Sequence, residues 1–255
     1  MTAPFSRVNT LTFDFWNTLY SFDAAMWEEV WPQRTKVLRE LLAAGGVRPS
    51  EEEMEKVYRD GFDAYMAAWE SGRHFGAVEE VAYFLDRFDL SPASVGAETV
   101  DCAIRGVEEA SRLGQLTVVE GVAETIPRLA GAGYKLGLIS DTSLTPGRIL
   151  KEFMAADDLL QYFSALTFSD ETGFTKPDRR MFLRTLAALD AEPAGAAHIG
   201  DTPRTDIAGA KSLDMVAIRC AAVMDHPESP EADFVIRDHR EIPVILEQLE
   251  ATGGR

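Results

Sequence analysis

From residue 114 to the C-terminal end, short apolar, β-prone runs alternate with helical stretches. That alternation constrains the fold more than any other feature of the chain. Residues 135–139, 165–168, 196–199, 216–219 and 234–236 read as strands, and 123–130, 146–155, 176–189, 205–212 and 240–249 as helices. Strands separated by helices predict parallel pairing, because each connection must cross back over the sheet, and a helix does so while burying one face. One more strand, at 11–13, stands apart near the start and has to join the same sheet across a long intervening segment. The expectation is an α/β core, a doubly wound parallel sheet of Rossmann-like type, over 1–20 and 114–255. Residues 225–231, with two prolines, read as an exposed loop.

The intervening segment, 21–113, has a different texture. It has few β-branched runs and reads as helical throughout. Ser50-Glu51-Glu52-Glu53 predicts a capping box opening a helix to about Ala68, and Ser91-Pro92 a second N-cap with proline in the first turn. Trp27, Trp31, Tyr58, Phe62, Tyr65, Trp69, Tyr83, Phe84 and Phe88 are expected to pack between these helices. The chain of 255 residues is 46% hydrophobic, enough for a sizeable core, and carries a formal charge of −17. Such a surface repels nucleic acid and anionic membranes, so neither is expected as a partner. A site for an anionic substrate must bring its own positive charge. No run is long enough for a membrane span, and residues 1–8 hold no apolar signal core. Cys102 and Cys220 are too few and too far apart for a disulfide framework or a zinc site, and are expected to be buried. These features point to a reduced, cytoplasmic compartment.

The chemistry is expected at the strand ends. Leu11-Thr12-Phe13 runs into Asp14, with Thr18 four residues later. A carboxylate at the end of a buried strand is costly unless a charge or a reaction requires it. In an open parallel sheet, ligands bind at the carboxyl ends of the strands. Ser140 ends the 135–139 strand, Asp201 follows Ala197-His198-Ile199-Gly200, and Lys176 sits where a loop enters a helix. Residues far apart in the chain therefore converge on one site by topology.

The order Asp-x-x-x-Thr, Ser after an apolar strand, Lys-Pro-Asp and Gly-Asp-x-x-x-x-Asp resembles the four motifs of the haloacid dehalogenase-like hydrolase superfamily. The segment 21–113 resembles that family's inserted α-helical cap domain. The resemblance implies that Asp14 is a nucleophile forming a covalent aspartyl intermediate, and that Thr18 and Ser140 hydrogen-bond the transferring group. Lys176 would neutralise charge and hold Asp14 ionised. Asp14, Asp201 and the backbone carbonyl of Trp16 would hold Mg²⁺, a hard cation that prefers oxygen ligands. Asp206 either supports that shell, directly or through water, or is an exposed acid near a helix N-terminus. Asn17 and Trp16 would border the substrate.

One position departs from the pattern. Trp16 stands two residues after Asp14, where phosphatases of the superfamily usually carry a second Asp. Indole exchanges no proton with a leaving group or a water. Asp141 is a substitute acid if its side chain turns inward, and otherwise a loop or cap acid. The plain reading of Trp16 is packing against the cap and shaping the substrate pocket.

Three functions remain open on sequence. One is a Mg²⁺-dependent phosphatase of a small phosphorylated metabolite. The second is a metal-independent 2-haloacid dehalogenase, since those enzymes also carry an aromatic residue at this position; Arg34 would then clamp halide or carboxylate, unless it is simply a charge on a helix surface. The third is a binding protein that kept the fold and lost turnover. Retention of both Asp201 and Asp206 favours the first, because dehalogenases replace that acidic pair in part with Ser and Asn. His74, His198, His226 and His239 show no ligand spacing; His198 reads as a satisfied buried histidine, and His74, in the loop 72–76, as a residue that approaches substrate or none.

Overall fold

The computed structural model describes residues 8–22, 24–225, 227 and 229–253, with the side chains at 24–27 and 252–253 excepted. His226, the side chain of Trp27 and residues 1–7 therefore lie outside the described residues. The chain divides into two compact units. One comprises Met1–Phe22, Leu116–Asp141 and Lys151–Arg255; the other comprises Asp23–Gln115 and Thr142–Leu150.

The first unit opens with β1 (Thr10–Phe13) and the short β2 (Tyr20–Phe22). The second unit holds α1 (Ala24–Ala44), α2 (Glu51–Glu70), α3 (Ala77–Arg87), α4 (Pro92–Val95) and α5 (Ala97–Glu109). Then follow β3 (Leu116–Val118), α6 (Val122–Gly131), β4 (Lys135–Ser140), α7 (Gly147–Ala156), β5 (Ala165–Phe168), α8 (Ser169–Thr172) and α9 (Arg179–Ala188). The chain ends with β6 (Ala196–Gly200), α10 (Ala208–Lys211), β7 (Val216–Cys220), β8 (Phe234–Ile236) and α11 (Ile242–Gly253).

Six strands form one sheet in the order β5-β4-β1-β6-β7-β8, all parallel. This is the Rossmann-like α/β core expected from the alternation. β1 lies near the middle, and every residue of it is buried. A strand covered on both faces reads as a continuous apolar run, which is why the isolated stretch at 11–13 had to enter the sheet. The chain builds outward from β1 through β4 and β5, then returns to the other side of β1 with β6. That reversal creates the switch point where open α/β sheets take their ligands.

One face of this sheet is packed by Met181, Phe182 and Leu186 of α9 and Ala210 of α10 against Ile139, Ala196 and Ala217. Full burial of a side chain such as Phe182 contributes roughly 1.5–3 kcal/mol. A Cβ at position 209 would stand 2.3 Å from the Phe182 ring, so Gly209 is what admits that ring.

The helical unit has its own core of Leu38, Leu41 and Leu42 with Met54, Val57, Tyr58, Val81, Phe84 and Leu85. The predicted capping box is present: Ser50 accepts from the Glu53 backbone amide, and the Glu53 carboxylate accepts from the Ser50 amide. Ser91 caps α4 with Pro92 in its first turn.

Several expectations need correction. The helix expected from Lys176 begins at Arg179, because the Asp178 side chain caps it by accepting from the Arg180 amide. The helix expected over 205–212 is a wide π-type turn, Pro203–Ile207, running into the short α10. The antiparallel ribbon of β2 and β3 was not foreseen; three residues a side carry no readable period. Cys102 is exposed on the outer face of α5, while Ala103 and Val107 of that helix face inward. Phe62, expected in the packing, is 58% exposed, while Trp31 keeps its expected contact between helices, its ring 4.3 Å from that of Tyr58. No helix among the described residues is long and apolar enough to cross a membrane.

Candidate active site

Asp14 follows β1 directly, Ser140 closes β4, and Asp201 follows β6, so the carboxyl edge of the sheet gathers all three. Lys176 arrives from the loop beyond β5. Its ammonium bonds Asp14 Oδ1 at 2.5 Å and Asp206 Oδ1 at 2.7 Å, with all three side chains buried. One carboxylate oxygen from each of Asp14, Asp201 and Asp206 lies within 4.8 Å of the others. Asp206, read as either a support or an exposed acid, is buried within this cluster. Gly200 makes the arrangement possible, since a Cβ there would fall 2.3 Å from Asp206 Cγ.

The turn after β1 is tight. The amides of Leu19 and Tyr20 both donate to the Phe15 carbonyl, and Asn17 sits in the left-handed region at φ 55°. Asn tolerates that conformation better than most residues. Its amide nitrogen donates to Asp201 Oδ2 at 3.3 Å, so Asn17 braces an acid of the cluster. Thr18 is fully buried, and its hydroxyl has no hydrogen-bond partner among the described residues. A buried hydroxyl left unpaired costs about 1–3 kcal/mol, which makes it a donor in want of an acceptor. Among the described residues the Ser140 hydroxyl makes a single long contact, 3.4 Å to the Asp141 carbonyl. The Trp16 indole is half-buried, edge-on to Phe15 at 4.9 Å and to Phe22 at 5.8 Å. Asp141 Oδ1 accepts from the backbone amide of Lys176 at 3.0 Å, which tethers the lysine loop to the end of β4.

Charge in this cluster is unbalanced. Three carboxylates stand against one ammonium. Burial, with the neighbouring Asp206 and Asp201, pushes the Asp14 carboxyl well above its ordinary value, against the pull of Lys176. Burial and Asp206 likewise push Asp201 up. Asp206 goes the other way: burial opposes its charge, but Lys176 and His198 outweigh burial and hold it below the usual range. Burial also disfavours the Lys176 ammonium, yet Asp14, Asp206 and Asp141 hold it firmly protonated. The donor set of clustered carboxylate oxygens fits a hard divalent cation such as Mg²⁺, which would relieve the repulsion.

Three supporting residues, Thr202, Thr205 and Thr12, escaped the sequence reading, and a fourth, His198, was read only as a core residue. Thr202 donates its hydroxyl to Asp201 Oδ1 and its amide to Asp206 Oδ2, and Thr205 donates to Asp206 Oδ2. Their signal was present as hydroxyl residues between the two acids of one turn. His198, expected to be satisfied in the core, bonds Asp206 and Thr12; Thr12 itself gave no signal beyond its place in a strand.

Arg34 belongs to the helical unit and is neither a surface charge nor a free clamp. It is buried, with Nε donating to the Val107 carbonyl and Nη2 to Ser111 Oγ and the Leu144 carbonyl. His74 is half-buried in the same unit.

Residues 8–214, which hold every one of these sheet-edge groups, match the haloacid dehalogenase-like hydrolase family. The chain is 30% identical over 180 residues to a glyceraldehyde 3-phosphate phosphatase of Pyrococcus furiosus, covering 68% of this chain and 69% of that protein. It is 35% identical over 94 residues to a phosphoserine phosphatase of Thermus thermophilus, covering 36% and 37% respectively. Among solved structures, a 2-haloacid dehalogenase from Pseudomonas syringae has a TM-score of 0.66 at 22% identity, covering 94% of this chain and 99% of that one. At that identity the likeness speaks to the fold alone.

Proposed function

The chain belongs to the haloacid dehalogenase-like hydrolase family, and we propose that it is a Mg²⁺-dependent phosphatase of a small phosphate ester. One observation carries this reading: Asp14, Asp201 and Asp206 bring carboxylate oxygens within 4.8 Å of one another, with the Lys176 ammonium bonded to Asp14 and Asp206. That surplus of negative charge suits a divalent cation together with an anionic substrate, and would be a burden to a metal-free dehalogenase. Relatives named for glyceraldehyde 3-phosphate and phosphoserine support the same substrate class. The dehalogenase alternative also lacks its clamp, because the Arg34 guanidinium is spent on Val107, Ser111 and Leu144.

In this reading Asp14 attacks phosphorus, the ester oxygen departs, and an aspartyl phosphate forms; water then hydrolyses it. The unpaired Thr18 hydroxyl and the Ser140 hydroxyl donate to phosphoryl oxygens. Lys176 holds Asp14 in its attacking position and offsets charge in the transition state. Asp14, Asp201 and the carbonyl of Trp16 would hold the Mg²⁺, which supplies further charge neutralisation at the phosphoryl group. The helical unit, Asp23–Gln115 with Thr142–Leu150, serves as the cap that selects the substrate.

A screen of aryl phosphate, sugar phosphates, phosphoserine and 2-haloacids, each with Mg²⁺ and with chelator, tests the assignment. Phosphate release that needs Mg²⁺ and falls by about 10⁴-fold or more in Asp14→Asn is expected, because an amide is a poor nucleophile of the same shape. Chelator-resistant release of halide would overturn it.

A further inference from the structure

His198 is the one histidine within a sheet strand among the described residues, fully buried in β6, where an aliphatic side chain would cost less. Both of its ring nitrogens are engaged. Nε2 lies 3.0 Å from Asp206 Oδ1, and Nδ1 lies 2.9 Å from Thr12 Oγ1. Thr12 is its registered partner on β1, so the pairing of the two central strands sets the contact. The Phe182 ring stands edge-on to the imidazole at 5.0 Å and limits its rotation. Two lone pairs cannot face each other at 3.0 Å, so Nε2 must carry the hydrogen that Asp206 accepts. The one hydrogen of the Thr12 hydroxyl has two acceptors in reach, the Ala197 carbonyl at 3.3 Å and Nδ1 at 2.9 Å, and donation to the nearer Nδ1 completes the arrangement.

Asp206 is then saturated. Its Oδ1 accepts from Lys176 and His198, and its Oδ2 accepts from the Thr202 amide and the Thr205 hydroxyl. A carboxylate has about four lone-pair sites, and all four have donors. Asp201 is different: its two oxygens accept only from Thr202 Oγ1 and Asn17 Nδ2 among the described residues.

We infer that His198, backed by Thr12, is a positioning residue: it fixes the Asp206 carboxylate so that Lys176 is aimed at Asp14, and Asp206 serves this relay rather than the cation. The inference rests on the proposed role of Asp14 as nucleophile. Its path is Thr12, His198, Asp206, Lys176, Asp14, each link a hydrogen bond. The lysine has a long, flexible stem, and two carboxylates in fixed places turn it into a defined group. Outer partners of this kind typically change activity by about 10- to 100-fold when lost.

The test uses the full chain. His198→Leu removes the donor, while His198→Gln keeps an amide N–H near the place of Nε2; Thr12→Val removes only the hydroxyl. With p-nitrophenyl phosphate as probe, His198→Leu is expected to lower kcat by about 10- to 100-fold, with KM and the Mg²⁺ half-saturation changed by less than about twofold. His198→Gln is expected to recover most of the rate, and Thr12→Val to fall between them. A folded His198→Gln no faster than His198→Leu would overturn the inference. So would a loss expressed in Mg²⁺ half-saturation instead of kcat, because Asp206 would then be acting on the cation. Nitrogen-15 spectra of the histidines give a readout independent of turnover: Nε2 of His198 is expected to carry a proton whose resonance moves in Asp206→Asn. An unprotonated Nε2 would refute the relay. Should the wild type cleave no phosphate ester, the phosphatase reading fails, and the spectra alone decide whether His198 donates to Asp206.

Discussion

In the proposed phosphatase, position 16 holds an indole, which exchanges no proton with a departing ester oxygen as a carboxyl group there would. General acid-base help is worth a factor of about 10² to 10⁴. Asp141, the nearest substitute in the sequence, has one carboxylate oxygen on the Lys176 amide. The proposed phosphatase is therefore expected to depend steeply on the leaving group, cleaving aryl or acyl phosphates well and alkyl phosphates poorly. Single-turnover rates across a series of esters measure this, and a flat series would show that another residue supplies the proton. A second residue with a consequence is Glu80 in the helical unit. Burial pushes its carboxyl up to about 7 despite the pull of Arg34, and its Oε2 has no partner among the described residues. The folded chain holds this proton more tightly than the unfolded chain. The stability that the neutral acid contributes is thus fully present below the ordinary Glu range and is lost as pH rises through about 7. The loss is on the order of 3 kcal/mol at most. Urea unfolding of wild type and Glu80→Gln on either side of that window should show a steeper fall in wild type, the raised Asp14 and Asp201 carboxyls leaving a residual slope in both; equal slopes would refute the assignment.

The turn from β6 through Pro203–Ile207 into α10 is the element on which the site depends most. It carries Asp201 and Asp206, and its own Thr202 and Thr205 orient both acids. Its entry is steric. Gly200 is buried against the Asp206 side chain, and a methyl group there would overlap Asp206 Cβ and Cγ. Gly200→Ala is expected to destabilise the fold by about 1–3 kcal/mol through overpacking, and to lower kcat more than a surface Gly→Ala of equal stability cost. Thermal unfolding and steady-state kinetics together check this. A variant with unchanged activity would mean that the turn tolerates a shift of Asp206. In sequence this element was visible only as two acids with the right interval. A wide π-type turn has no pattern of its own, and the hydrogen bonds that saturate Asp206 come partly from β6 and the loop after α8.

At the scale of the whole molecule, the cluster of carboxylates is a local cost that the proposed cation would offset. Mg²⁺ binding only to the folded chain should raise the unfolding temperature, with about 2.7 kcal/mol gained at one hundred times Kd. Asp201→Asn should raise stability in chelator by relieving repulsion, and should abolish the Mg²⁺-dependent rise. Calorimetry or dye-monitored melting of both proteins measures this; a wild type indifferent to Mg²⁺ at every concentration would remove the cation from the proposed site. The parallel core, the strand runs and the order of the sheet-edge motifs were readable in the chain alone. Each depends on local periodicity, or on a polar group placed where an apolar strand stops, and these are properties of neighbours in sequence. Arg34 shows the opposite case. Its type and its helix were evident, but its burial against Val107, Ser111 and Leu144 depends on segments that meet only after folding. The same holds for His198 and Thr12, whose strands lie far apart in the chain and touch because β1 and β6 pair. Sequence by itself determined which residues reach the carboxyl edge of the sheet. Tertiary structure alone decided which atoms there are already hydrogen-bonded and which remain to act, because partners close in space and distant in sequence leave no local periodic trace.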